Sequence, residues 1–154
     1  MRLVRATSKT LVFDLGQREG QMLLRLLKLY PCVPPAHHLI SRAGPQPGTK
    51  SSQQLLDEAL AEQRAQTKKQ LQALVDDPQH LQNRESGLRL CLSPTEAEWF
   101  MQVLNDIRVG CWIQLGSPDN KLNELTPAKA PHFLAMEQAG YFQMQLLQAL
   151  EKEK

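Results

Sequence analysis

The sequence lacks the long apolar stretches that mark membrane and secretory proteins. None of its apolar runs approaches the ~20 residues of a membrane span. Residues 1–15 alternate polar and apolar side chains, whereas a signal peptide needs an apolar run of about 7–15 residues. We therefore expect a cytoplasmic protein with no membrane partner.

Aromatic residues and cysteines are also scarce. Two tryptophans, two tyrosines and four phenylalanines supply all the aromatic bulk, so leucine must fill most of the core. The three cysteines, Cys32, Cys91 and Cys111, are an odd number in apolar surroundings. This pattern favours reduced thiols, packed as small core residues, over a disulfide framework.

Signatures of metal binding, cofactor binding and catalysis are missing. The sequence has no C-x-x-C pair, no glycine-rich phosphate loop and no G-x-S-x-G turn. His37 and His38 lie in a proline-rich stretch, which is typical of exposed loop histidines. His80 and His132 are isolated from other ligand types. We predict no catalytic residue, no metal and no cofactor, and the residues favour a non-enzymatic protein over an enzyme.

Charges of both signs are mixed along the chain. The 18 basic and 16 acidic residues give a net charge of +2. Proteins that bind nucleic acids usually concentrate lysine and arginine on one face, because neutralising phosphates drives their affinity. The densest basic group here is Arg64 with Lys68 and Lys69, which is better explained as a solvated helix face. We expect no nucleic-acid partner.

The first half of the chain predicts a hairpin and two helices. Short apolar runs on either side of a polar turn predict a β-hairpin within residues 1–15. Apolar residues spaced by three and four predict a helix from Arg18, which Pro31 ends. Residues 31–50 are a proline-rich loop, and a second helix is expected over residues 53–75.

The second half predicts one strand and two helices. A polar stretch over residues 76–87 precedes an alternating strand at 87–92, and the helix expected at 94–115 is the most hydrophobic segment. A last helix from Ala130 to about Glu151 precedes a frayed tail, residues 151–154. The positions of this helix expected to face the core are Phe133, Met136, Tyr141, Met144, Leu147 and Leu150.

Two segments of the chain have similar patterns. Residues 11–30 align without a gap on residues 88–107, and in both a strand ends on leucine just before a helix. Glu19 and Glu96 then occupy the third helical position, where a glutamate can bond to the backbone at the helix start. We predict one α+β, mainly α, domain over residues 1–154. It would be a helical bundle of about four helices with a small β-sheet of two to three short strands, built as two β-α-α repeats.

Three polar residues interrupt the hydrophobic helix at 94–115: Asn105, Asp106 and Arg108. A buried carboxylate is costly unless it is paired, so we expect a partner for Asp106 from another helix or another subunit. Gly110, one turn further on, would allow a backbone to approach closely. We favour the interpretation that the three residues form a polar network that fixes the helix register. An interaction site and a catalytic site remain as alternatives.

The segment 92–116 resembles a bacterial family known as domain-of-unknown-function family 2017, which is best represented in actinobacteria. The residues of this segment that match the family's pattern are Leu104, Asn105, Asp106, Arg108, Leu115 and Gly116. Gln114 departs from it, since the family tends to have arginine there. The resemblance implies an uncharacterised helical protein with no assigned reaction, and the family's gene neighbourhoods imply protein–protein interaction.

Together these observations favour a non-enzymatic intracellular protein that binds a protein partner or forms a homodimer through its long apolar helices. The alternative is a small-molecule sensor or enzyme with a pocket near Asn105, Asp106 and Arg108. A nucleic-acid-binding function comes third, and it would require a basic stripe in the folded protein.

Overall fold

The computed structural model describes residues 1–35, 49–117 and 126–153. Most of the predicted proline-rich loop at 31–50 lies outside the described residues, as do His37 and His38. Within the described residues the chain forms four helices and one four-stranded antiparallel sheet, so the fold is α+β as predicted. No helix among these residues has both the length and the apolar character required to cross a membrane.

Two hairpins, β1–β2 and β3–β4, make the sheet, in the order β1-β2-β4-β3. The strands are β1 Arg2–Ala6, β2 Leu11–Gly16, β3 Leu81–Arg84 and β4 Gly87–Leu92. The prediction of two to three strands was wrong, because β3 lies in the stretch we interpreted as a polar connection. As an edge strand with only Leu81 contacting the core, β3 carries almost no apolar pattern.

The two inner strands, β2 and β4, form the buried centre of the sheet. Phe13 pairs with Leu90, and the flanking pairs follow symmetrically on either side. On the opposite face, the guanidinium of Arg89 donates to both carboxylate oxygens of Asp14, at 2.6 and 2.8 Å. This hydrogen-bonded arginine lowers the pKa of Asp14. The buried residues of the two strands alternate as the sequence predicts: Leu11, Phe13, Leu15, Leu88, Leu90 and Leu92.

The helices are α1 Gln17–Leu27, α2 Thr49–Asp76, α3 Pro94–Gln114 and α4 Ala130–Glu153. Helix α2 begins four residues earlier than predicted. Helix α4 continues to Glu153, past the start of the expected tail at 151–154, because Glu-Lys-Glu consists of residues that favour helix.

Both helices that follow a hairpin start with the predicted cap. The carboxylate of Glu19 accepts a hydrogen bond from the N–H of Gly16 at 3.1 Å, and Glu96 accepts one from the N–H of Ser93 at 2.8 Å. The Ser93 hydroxyl in return accepts from the N–H of Glu96 at 3.2 Å. These bonds satisfy N–H groups that have no partner within the helix.

Helix α3 packs along α4 and also contacts α1 and β4, which makes it central to the core. The predicted core face of α4 was partly wrong, since Met144 and Leu147 are 53% and 51% exposed. Helix α4 is apolar around most of its circumference, so its sequence period does not select one face. Small side chains allow the close approach to α3, and the buried face consists of Ala135, Ala139, Phe142, Leu146 and Ala149.

Candidate functional site

The three polar residues of α3 that the sequence singles out do not lie on one common surface. Asp106 lines a cleft between α2 and α3, whereas Arg108 lines a groove between α3 and α4. Asn105 is exposed. Within the described residues, no hydrogen bond or ion pair joins the three side chains. The helix therefore presents two different surfaces instead of one convergent polar site.

Asp106 binds the backbone of the segment that follows α1. Its Oδ1 atom accepts hydrogen bonds from the N–H of Cys32 at 2.6 Å and from the N–H of Val33 at 3.3 Å. The expected partner from another helix or subunit is thus replaced, within this chain, by two main-chain donors. Two N–H groups satisfy a half-buried carboxylate without a second buried charge, which lowers its cost of desolvation.

Gly110 admits this backbone, as the sequence predicts. A Cβ atom placed on Gly110 would lie 2.4 Å from the carbonyl carbon of Cys32 and 2.6 Å from its Sγ. The close approach brings the sulfur of Cys32 to 3.9 Å from that of Cys111. Burial raises the pKa of Cys32, and it raises the pKa of Cys111 to about 12. We refer to Pro31, Cys32 and Val33 below as the strap.

The α2–α3 cleft encloses about 400 Å³ and carries both charged and aromatic groups. Asp106 and Arg64 line it from opposite helices, together with Trp99 and Tyr30. Burial raises the pKa of Tyr30. The cleft therefore offers an anion, a cation and two aromatic faces to a small polar molecule.

The α3–α4 groove, with a volume of about 600 Å³, differs in character. Three methionines and a leucine line it: Met101, Met136, Met144 and Leu147. Methionine side chains are flexible and polarisable, and they are common on surfaces that bind other proteins.

Some polar atoms in the α3–α4 groove have no partner among the residues that the structure describes. Gln143 donates from Nε2 to the carbonyl of Met101 at 3.2 Å, but its Oε1 atom is buried and accepts no hydrogen bond from this part of the chain. Arg108 extends over Gly140, where a Cβ atom would lie 3.7 Å from its Nε. Glu137 also lines the groove, and within the described residues neither it nor Arg108 forms an ion pair. An orphaned acceptor and two unpaired charges are thus gathered around one apolar groove.

A third constellation lies where α2 ends and α3 begins. His80 Nδ1 is 2.8 Å from Asp77 Oδ2, and His80 Nε2 is 3.0 Å from Glu96 Oε1. Burial alone would lower the pKa of His80, but the bond to Asp77 and the charge of Glu96 outweigh it and raise the pKa. With Trp99, these residues border a cavity of about 460 Å³. The sequence analysis considered His80 isolated and missed both partners. Asp77 lies only three residues before His80 and could have been recognised, whereas the contact with Glu96, 16 residues away, depends on tertiary packing.

Tyr141 connects α4 to α1. Its hydroxyl donates to Glu19 Oε1 at 2.8 Å, and the same carboxylate caps α1 through Oε2. Burial and this bond raise the pKa of Tyr141 to about 12, so the phenol stays protonated and remains a donor. The contact explains structurally why a polar tip occurs on a helix that otherwise packs by apolar contacts.

None of these groups has the arrangement of a metal centre. Within the described ranges, no cluster of three or more histidine, cysteine or acidic side chains could hold a metal ion. His80, Asp77 and Glu96 satisfy one another or the backbone. These three side chains, called the clamp, connect the turn that follows α2 to the first turn of α3.

No family model matches the chain, and no curated protein and no solved structure is significantly similar to it. The resemblance to domain-of-unknown-function family 2017 stays a prediction.

Proposed function

We propose that this is a non-enzymatic, intracellular protein that self-associates through the α3–α4 groove. The observation that carries the proposal is the combination of exposed apolar side chains and unpaired polar atoms along one groove. Met144 and Leu147 are each about half exposed there, at 53% and 51%, beside the buried, unpartnered oxygen of Gln143. Apolar surface of this kind is stabilised when a second protein surface removes it from water.

A second copy of the chain fits the charges of the groove. A twofold interface places each residue of one copy against the same patch of the other, so a patch that carries both signs can be complementary to itself. Arg108 and Glu137 supply these two signs, and neither forms an ion pair with another of the residues that the structure describes. In the dimer, Arg108 of one copy pairs with Glu137 of the other, and the methionines pack at the centre.

The first test is the oligomeric state measured by sedimentation velocity over a range of protein concentrations. We expect a concentration-dependent dimer, and Met144→Glu converts it to a monomer because a carboxylate would be buried in the interface. Leu134→Glu is the matched control, since Leu134 is 57% exposed on the same helix but does not line the groove. A monomeric parent protein at high concentration, or equal effects of the two variants, contradicts the proposal.

The α2–α3 cleft supports a second candidate function, the binding of a small molecule. Arg64 and Asp106 across about 400 Å³ suit a ligand that carries both an anionic and a cationic group, such as a zwitterion. Trp99 and Tyr30 would contact its apolar part. Thermal-shift screening of small amino and carboxylic acids tests this idea. A ligand that stabilises the parent protein but not Arg64→Gln would favour it, and no hit among zwitterions would count against it.

We also propose that the two hairpin–helix units are structural repeats. In support, each hairpin leads directly into a helix with a glutamate cap, and the β2–β4 pairing is symmetric about Phe13 and Leu90. The second helices differ, because α4 packs along α3 whereas α2 contacts β3. The proposed repeat therefore consists of β-β-α units, to which α2 and α4 are added differently.

A further inference from the structure

Two thiols that are far apart in the sequence meet between the strap and α3. Cys32 and Cys111 are separated by 79 residues, and their sulfur atoms lie 3.9 Å apart. Cys111 is fully buried, whereas Cys32 is partly exposed. Cys91 lies on β4, and within the described residues it makes no contact with either thiol. The chain thus contains one thiol pair and one separate thiol.

The surroundings hold the pair in place. Asp106 fixes the N–H of Cys32 at 2.6 Å, and the absence of a side chain on Gly110 lets Cys32 rest directly on α3. The amide of Gln114 donates to the Cys32 sulfur at 3.7 Å. A disulfide has a sulfur–sulfur distance of about 2.05 Å, so the two sulfurs must approach by roughly 2 Å from their present 3.9 Å.

We propose that Cys32 and Cys111 are an oxidative modification site, at which a two-electron oxidant such as a peroxide produces an intramolecular disulfide. With hydrogen peroxide, the Cys32 thiolate first attacks one oxygen to give a sulfenic acid and hydroxide. The Cys111 thiolate then attacks the Cys32 sulfur, and the sulfur–oxygen bond breaks to release the oxygen bound there as a second hydroxide. The two hydroxides take up the two protons that the thiols lost and become water. In sum, two thiols and one peroxide give one disulfide and two waters.

The burial of the two thiols determines the rate of this reaction. Because the thiolate is the nucleophile, the raised pKa values of both thiols make the pair slow to react at neutral pH. Cys32 reacts first, since it is the more accessible of the two. The rate increases as the pH rises. The site therefore responds to sustained oxidant and stays reduced otherwise.

The bond would attach the strap covalently to α3. A disulfide that closes a long loop restricts the unfolded chain and stabilises the folded protein. We expect the oxidised protein to melt roughly 5 °C or more above the reduced protein. Dithiothreitol should reverse the shift.

The test is to treat the folded protein with diamide, an azo compound that accepts the two hydrogen atoms and does not add oxygen to methionine. Intact mass should fall by two hydrogen atoms, and proteolytic mapping should find the peptides of Cys32 and Cys111 linked. Cys91→Ser is the matched control and should behave as the parent does. Cys32→Ser, which changes the partly exposed partner, should keep its full mass.

Two results would overturn the proposal. One is that both thiols of the diamide-treated parent are still alkylated after unfolding. The other is that the linked peptides contain Cys91 or join two chains. Because mapping of the parent protein decides the matter, the test holds even where a variant folds poorly.

Discussion

The imidazole of His80 lies 3.0 Å from the carboxylate of Glu96, which joins the end of α2 to the first turn of α3. Its other nitrogen lies 2.8 Å from Asp77. A neutral imidazole has a single N–H and can donate to only one of these carboxylates, so both bonds require the doubly protonated ring.

His80 should make stability depend on pH from about 6.5 upward. Its folded pKa is raised, so its contribution is fully present below about pH 6.5, its unfolded value, and is lost as the pH rises through the folded pKa. His80→Gln should lower the free energy of unfolding by about 1 kcal/mol at pH 6 and by less at pH 9. Urea denaturation across this range measures it, with His132→Gln as control. Equal losses at both pH values would show that the clamp does not titrate.

Two of the helical glycines, Gly110 and Gly140, should respond oppositely to alanine. At Gly110 the new Cβ would meet the backbone of Cys32 at 2.4 Å, which forces the strap off α3 and costs about 1–3 kcal/mol. At Gly140 the nearest atom is the flexible side chain of Arg108 at 3.7 Å, so alanine should stabilise α4 by about 0.5–1 kcal/mol. Thermal and urea unfolding of both variants measure these changes in stability. A stable Gly110→Ala would mean that the strap is not packed there.

Removing the carboxylate of Asp106 should be costly, whereas changing its neighbour should not. Asp106→Ala leaves the N–H groups of Cys32 and Val33 without their acceptor, and we expect a loss of about 1–3 kcal/mol. Asn105→Ala, at an exposed position, should remain within about 0.5 kcal/mol of the parent. Denaturant titrations of the two variants measure these changes in the free energy of unfolding. If Asp106→Ala has the same free energy of unfolding as the parent protein, the carboxylate is available for another role.

Charge reversal should test the proposed dimer. Arg108→Glu places a carboxylate opposite the second copy's Glu137, so association should weaken by about tenfold or more. The double variant Arg108→Glu with Glu137→Arg restores complementary charges and should recover most of the affinity. Sedimentation at several protein concentrations gives the dissociation constants. If the double variant is no tighter than Arg108→Glu alone, these residues do not face each other.

Much of the fold could be predicted because its signals are local. The cap at Ser93 and Glu96 fixes the start of α3, and strict alternation identifies β4 at its observed bounds. Strand β3 escaped prediction because an edge strand buries little and needs no apolar alternation. It forms because β4 offers it a row of backbone partners.

The candidate sites could be predicted only in part. Asp106 and Gly110 were recognisable because a charge and a glycine inside an apolar helix each require a neighbour. The identity of that neighbour could not be predicted, because Cys32 lies 74 residues from Asp106 and no periodicity relates the two positions. Met144 and Leu147 of the α3–α4 groove, each about half exposed, were assigned to the core for a similar reason.

The sequence by itself determined the four helices and three of the four strands, because helix caps and hydrophobic periods act over a few residues. Tertiary structure decided which face of α4 stays in contact with water, which thiol meets Cys111 and which carboxylate of α3 meets His80. Those outcomes depend on how elements distant along the chain pack together, and close packing of small residues such as Ala139 against α3 selects one arrangement from several that the apolar pattern allows.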